Sequence, residues 1–170
     1  MMMGALAAAG MEPVFSADKN KRMDDRYGKE TNPDGYYEME LSDFYQPGFP
    51  AQHEYKMFKC LYGGVLYLPP PQEYAIIFMR RPAEQIKRSM LKRFGYAHEL
   101  LDDPKNFQKE MNRICACLRD RRSVKSVTEV WMRDAVEHPQ PTFVQIKRDG
   151  WPIDVAKAAE VPDREKMRFK

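Results

Sequence analysis

At 170 residues, 43% of them hydrophobic, the chain is long enough for one domain with a real core. A formal charge of +3, carried by scattered basic residues, is too small to mark a nucleic-acid binder and supports only weak local steering of an anion. No apolar run approaches bilayer length, and three cysteines form no disulfide framework, so the expectation is a soluble cytoplasmic protein with no membrane partner.

The segment from Met1 to Gly10 is rich in Met, Ala and Leu and closes on glycine, which predicts a helix with a C-terminal stop and no N-cap. It has no basic leader and no cleavage site follows, which argues against a secretory signal. Residues 11–55 are polar, aromatic and turn-rich, with breakers at Pro13, Gly28, Pro33, Gly35, Pro47, Gly48 and Pro50. The expectation is a long irregular insert over a sheet. Within it, residues 32–35 carry a strong turn signal. Tyr36, Tyr37, Glu38 and Glu40 then either line an acceptor pocket or pin the loop to the core.

Lys56 to Leu61 reads as a strand, with Lys59 either facing an anion or reaching solvent. Gly63, Gly64 and the prolines at 69–71 punctuate the chain without forming a phosphate loop, since no Gly-Lys-Ser/Thr follows. Ala75 to Met79 shows no alternation and predicts a strand buried on both faces, as in a parallel sheet covered by helices. Arg80 and Arg81 follow, and Pro82 fits the first position of a helix running to about Phe94. Two arginines at the carboxyl end of a parallel strand, beside a helix start, sit where open α/β sheets bind phosphate-bearing ligands. The rival reading is a solvated basic turn.

Asp102 or Asp103 caps the next helix, with Pro104 in its first position and Phe107, Met111, Ile114, Cys115 and Leu118 as its buried stripe. Cys115 and Cys117 point in different directions on it, which disfavours a shared metal. The basic run Arg119 to Arg122, with Lys125, complements the helix's negative pole. Val124 to Trp131 predicts a last strand, Arg133 to His138 a turn or short helix, Pro141 to Arg148 a helix stopped by Gly150, and Asp154 a cap for Val155 to Glu160. His53, His98 and His138 show no ligand spacing, so neither a zinc site nor a serine triad is expected.

An apolar strand, Arg80, one residue, Pro82 and then a helix carrying Ser89 together resemble the donor-phosphate motif of the sulfotransferase family of P-loop proteins. Three further pieces follow in the order seen in bacterial and phage sulfotransferase-like proteins: residues 32–38, Lys56 to Cys60 before Leu68 to Pro70, and Val127 to Trp131. The resemblance implies a three-layer α/β fold, a P-loop NTPase-like parallel sheet flanked by helices, over a single domain of residues 1–170. It implies that Arg80 and Ser89 hold the ribose phosphate of the donor, phosphoadenosine phosphosulfate. The family serine lies one residue closer to the proline, where this chain has Arg88, so Arg88 is a rival contact.

The family's loop of the form Pro-Arg-Ser-Gly-Thr, which cradles the donor's other phosphates, has no counterpart here. Met1 to Gly10 resembles the helix after that loop, so the expectation is a sheet without its first strand. Two function classes result. One is an enzyme moving a sulfuryl group from the donor to a hydroxyl or amine of a small-molecule or macromolecular acceptor, inactive without the loop. The other is a non-catalytic nucleotide-binding or protein-interaction domain. Neither class needs a metal, and a kinase is disfavoured because the phosphate loop and magnesium ligands are both missing. The acceptor, the general base (Glu38, Glu40 and His53 being candidates) and the oligomeric state stay open.

Overall fold

A computed structural model describes residues 1–27, 39, 41–60, 64–70 and 73–162. In chain order the elements are α1 (Met2–Ala8), α2 (Ala17–Tyr27), α3 (Phe49–Gln52), β1 (Tyr74–Arg80), α4 (Ala83–Phe94), α5 (Pro104–Arg119), β2 (Val124–Trp131), α6 (Met132–Glu137), α7 (Pro139–Arg148) and α8 (Val155–Glu160). Short 3-10 turns occupy Leu41–Tyr45, Gly64–Tyr67 and Glu99–Asp102. The chain is thus an α/β protein whose two strands pair in parallel. A parallel pair needs a long crossover, and α4 and α5 supply it.

The strands sit between two apolar clusters. Side chains alternate across a strand, so Tyr74, Ile76 and Phe78 meet one cluster while Ile77 and Met79 meet the other. The first cluster takes Ala83 and Ile86 of α4, the α5 stripe Phe107, Met111, Ile114, Cys115 and Leu118, Phe44 and Phe49 from the insert, and Leu68 after the Gly64–Tyr67 turn. The second takes Ala5 and Leu6 of α1, Phe143 and Ile146 of α7, and Ala158 of α8. Ile114, Leu118, Phe143 and Ile146 are almost wholly buried, and each such side chain contributes about 1.5–3 kcal/mol from removed apolar surface.

Local chemistry sets the helix ends. Asp103 Oδ1 accepts from the amides of Lys105 (3.0 Å) and Asn106 (3.1 Å), and Pro104 follows at the helix start, as the sequence predicts. Asp154 does the same for α8, through Ala156 and Lys157. α4 stops where Gly95 takes φ 76 and returns its amide to the Leu91 carbonyl, a left-handed turn that a side chain would strain. α1 has no side-chain N-cap, again as expected.

Several expectations change. Residues 56–60 form no continuous strand, only isolated bridge residues at Met57 and Lys59: Met57 pairs in parallel with Pro13, exchanging bonds with Glu12 and Val14, and Tyr55 just before the segment turns left-handed at φ 61. Pro82 is the N-cap of α4 with ψ 140, not its first helical residue, while α7 begins two residues earlier than Pro141. β1 is only half-buried over Tyr74–Ile77, although helices cover both faces, because a two-stranded sheet leaves each strand one edge with no strand partner among the described residues. The 11–55 segment carries α2 and α3. α2 has Asp18 in its first turn and Arg26 in its last, charges that suit the helix dipole. The expected turn at 32–35, Tyr36, Tyr37, Glu38, Glu40, Leu61 and Gly63 lie outside the described residues.

Candidate anion-binding site

Phe78 and Arg80 lie two residues apart at the carboxyl end of β1, so their side chains leave the sheet on one face, toward α5. Arg80 is 5% exposed, with its guanidinium carbon 4.9 Å from the centre of the Phe78 ring. A buried guanidinium needs a counter-charge, and the next strand supplies it. Glu129 sits opposite Phe78 in the β2 register, diagonal to Arg80. Its Oε2 accepts from Arg80 Nε at 2.7 Å and also from Arg80 Nη2. Its Oε1 accepts from Nη2 of Arg119, the last residue of α5.

The result is a row of guanidinium, carboxylate and guanidinium at the carboxyl ends of both strands. Burial opposes the charge on Glu129, yet the hydrogen bonds and charges of Arg80 and Arg119 outweigh it and hold the carboxyl below its usual range. Cys115 lies beneath, its thiol pushed up by burial and by the Glu129 charge, so it stays a neutral core group and no nucleophile. One donor is left over. Nη1 of Arg80 is buried and has no hydrogen-bond partner among the described residues. Two residues on, Pro82 is the N-cap of α4 and offers no side-chain cap to the first-turn amides.

The structure therefore treats the sequence-predicted site residues unequally. Arg80 is placed at a helix start with surplus donor capacity. Ser89 is half-buried and Arg88 exposed, both two turns into α4, and no hydrogen bond or ion pair joins either to Arg80. Arg81 is half-buried, and desolvation pushes its pKa down. His53 packs against Phe49, with ring centres 4.6 Å apart. Among the described residues no group of three or more His, Cys, Asp or Glu is arranged to hold a metal, and no helix is long and apolar enough to cross a membrane.

Glu129 and Arg119 are the site residues that sequence reasoning missed. Their signal was present: a lone carboxylate stands between Val127 and Val130 in a strand next to one that ends in arginine. A charge on the covered face of a strand calls for a partner. On the opposite face of β2, Thr128 Oγ1 donates to Asp149 Oδ2 at 2.5 Å and ties the strand to the end of α7. Comparison with protein-family models, curated proteins and solved structures returns no match to this chain.

Proposed function

We propose that this chain is a sulfotransferase-like protein whose Arg80 receives a phosphate of phosphoadenosine phosphosulfate, within a P-loop NTPase-like three-layer arrangement. The observation that carries the reading is Arg80 itself. It is buried at the carboxyl end of a parallel strand, precedes a helix start, and keeps one guanidinium nitrogen without a partner among the described residues. Such a strand end is where open α/β sheets place anionic ligands. A guanidinium in a low-dielectric setting favours a dianion strongly.

On this reading Arg80 grips the donor's ribose phosphate, and Ser89 or Arg88 joins once the ligand is in place. Transfer would break the donor's sulfur–oxygen bond to phosphate and form a bond from sulfur to an acceptor hydroxyl or amine, whose proton passes to a base. The leaving phosphate gains charge in that step, and fixed positive dipoles must meet it. No loop of the Pro-Arg-Ser-Gly-Thr type occurs in these 170 residues to supply them. The chain alone is thus a binder that does not turn over. The pairing of Arg80 with Glu129 favours the second reading, a non-catalytic nucleotide-binding or protein-interaction domain of the same fold.

Calorimetry with adenosine bisphosphate, against adenosine monophosphate lacking the ribose phosphate, tests the proposal. Preference for the bisphosphate by about tenfold or more is expected from one charge-assisted contact. Equal affinity for the two nucleotides contradicts it. Turnover of labelled donor by the 170-residue chain would contradict the non-transferring part.

A further inference from the structure

Building on the anion-binding reading of Arg80, we propose that Glu129 is a resident competitor for the ligand's anion. Its carboxylate occupies the Arg80 guanidinium and has to swing out before a tetrahedral dianion, sulfate or the phosphate of a nucleotide, can bind between Arg80 and Arg119.

Three observations support this. The first is the donor set: one carboxylate spans two guanidiniums, one oxygen to each, which is the pattern a phosphate or sulfate makes with paired arginines. The second is incompleteness. The row holds two cations and one anion, and Nη1 of Arg80 is buried with no partner among the described residues. A dianion on the edge that Glu129 now fills supplies the missing charge, which a carboxylate cannot do.

The third is access. Exposure rises from 5% for the Arg80 side chain to 28% for Glu129 and 53% for Arg119, so the carboxylate and the outer guanidinium form the solvent side of the row. A rotation of the Glu129 side chain takes its charge into water and leaves Arg80 open, with no change in the strand ladder. Cys115, neutral and buried beneath, adds no competing charge. The apparent affinity of the wild-type chain is then its intrinsic affinity reduced by the small fraction of molecules with Glu129 swung out.

The test titrates sodium sulfate and, separately, adenosine bisphosphate into the full chain carrying no change, Glu129→Gln, or Glu129→Gln with Arg80→Ala. Glutamine keeps the shape and one acceptor while removing the charge. It should tighten binding about ten- to a hundredfold, and Arg80→Ala should erase that gain. Unchanged or weaker binding in a cooperatively folding Glu129→Gln chain overturns the proposal, since the carboxylate then only positions the arginines. If adenosine bisphosphate binds wild type and Glu129→Gln alike, the competitor idea falls and the nucleotide reading stands. A gain for sulfate with no binding of the nucleotide to any of the chains does the opposite: the competitor stands and the nucleotide reading falls. No binding of either probe to any chain overturns both. Should Glu129→Gln fail to fold, NMR of the wild-type chain decides. The Glu129 carboxyl carbon and the Arg80 Nε signal must shift together as sulfate saturates the site, and sulfate binding that leaves them in place overturns the proposal.

Discussion

The two ends of the β1–β2 sheet each hold an arginine in several hydrogen bonds, and they use it in opposite ways. At the amino end Arg121 donates to the main-chain carbonyls of Val65, Leu66 and Leu68, closing the 3-10 turn over the start of β1. Tyr74 adds a bond to the Pro69 carbonyl at 2.9 Å, and burial pushes its phenol pKa up despite the nearby Arg121 charge. At the carboxyl end Arg80 donates to a side-chain carboxylate. Main-chain carbonyls fixed in a turn cannot leave, whereas a carboxylate on a rotatable side chain can. Arginine held by backbone is therefore scaffold, and arginine held by a side chain is exchangeable.

Removing the carboxylate altogether gives the largest expected effect. Glu129→Ala strands a guanidinium that is 5% exposed, and it should cost about 2–3 kcal/mol in urea unfolding, below the range for fully buried pairs because Glu129 itself is partly solvated. Saturating sulfate should restore much of that loss, since the ion takes the vacated place. Next comes Arg121→Ala, expected to cost about 1–2 kcal/mol through the carbonyls left unpaired. Here sulfate should restore nothing. Equal rescue of the two variants would erase the distinction between the ends.

Acid sharpens the same contrast. The folded Glu129 carboxyl has a depressed pKa, so its pairing stabilises the protein fully above the ordinary carboxyl value of about 4.3 and is lost as pH falls through the lower folded value. Melting temperatures from neutral pH downward should fall less steeply for Glu129→Gln than for wild type below pH ~4.3. Arg121→Ala should run parallel to wild type in the same window. The smallest effect belongs to Arg119→Ala, whose half-exposed side chain should be worth under about 1 kcal/mol of stability.

The sequence revealed the elements better than the contacts between them. β2, the caps of α5 and α8 and the α5 stripe were legible because each rests on local chemistry: an Asp before a helix, a proline at its start, apolar residues on one face. Residues 56–60 misled because an apolar run reads the same whether it finds a continuous ladder partner or only isolated bridges. α2 was hidden by its polarity: Ala17–Tyr27 carries no apolar stripe to announce a helix. Arg80 could be read as a site residue from its place after a strand. Its bond to Glu129 could not, because 49 positions separate the two and only the parallel register brings them together.

If the exchangeable end is the binding end, then Arg80, and not basic charge in general, receives the anion. Calorimetric titration of adenosine bisphosphate into wild type, Arg80→Ala, Arg81→Ala and Arg121→Ala separates the two, since the four chains share every other residue. Affinity should drop about ten- to a hundredfold for Arg80→Ala and less than about threefold for Arg81→Ala and Arg121→Ala. Equal losses across the three variants, or an Arg80→Ala chain that binds as well as wild type, would show that Arg80 is not the receiving group.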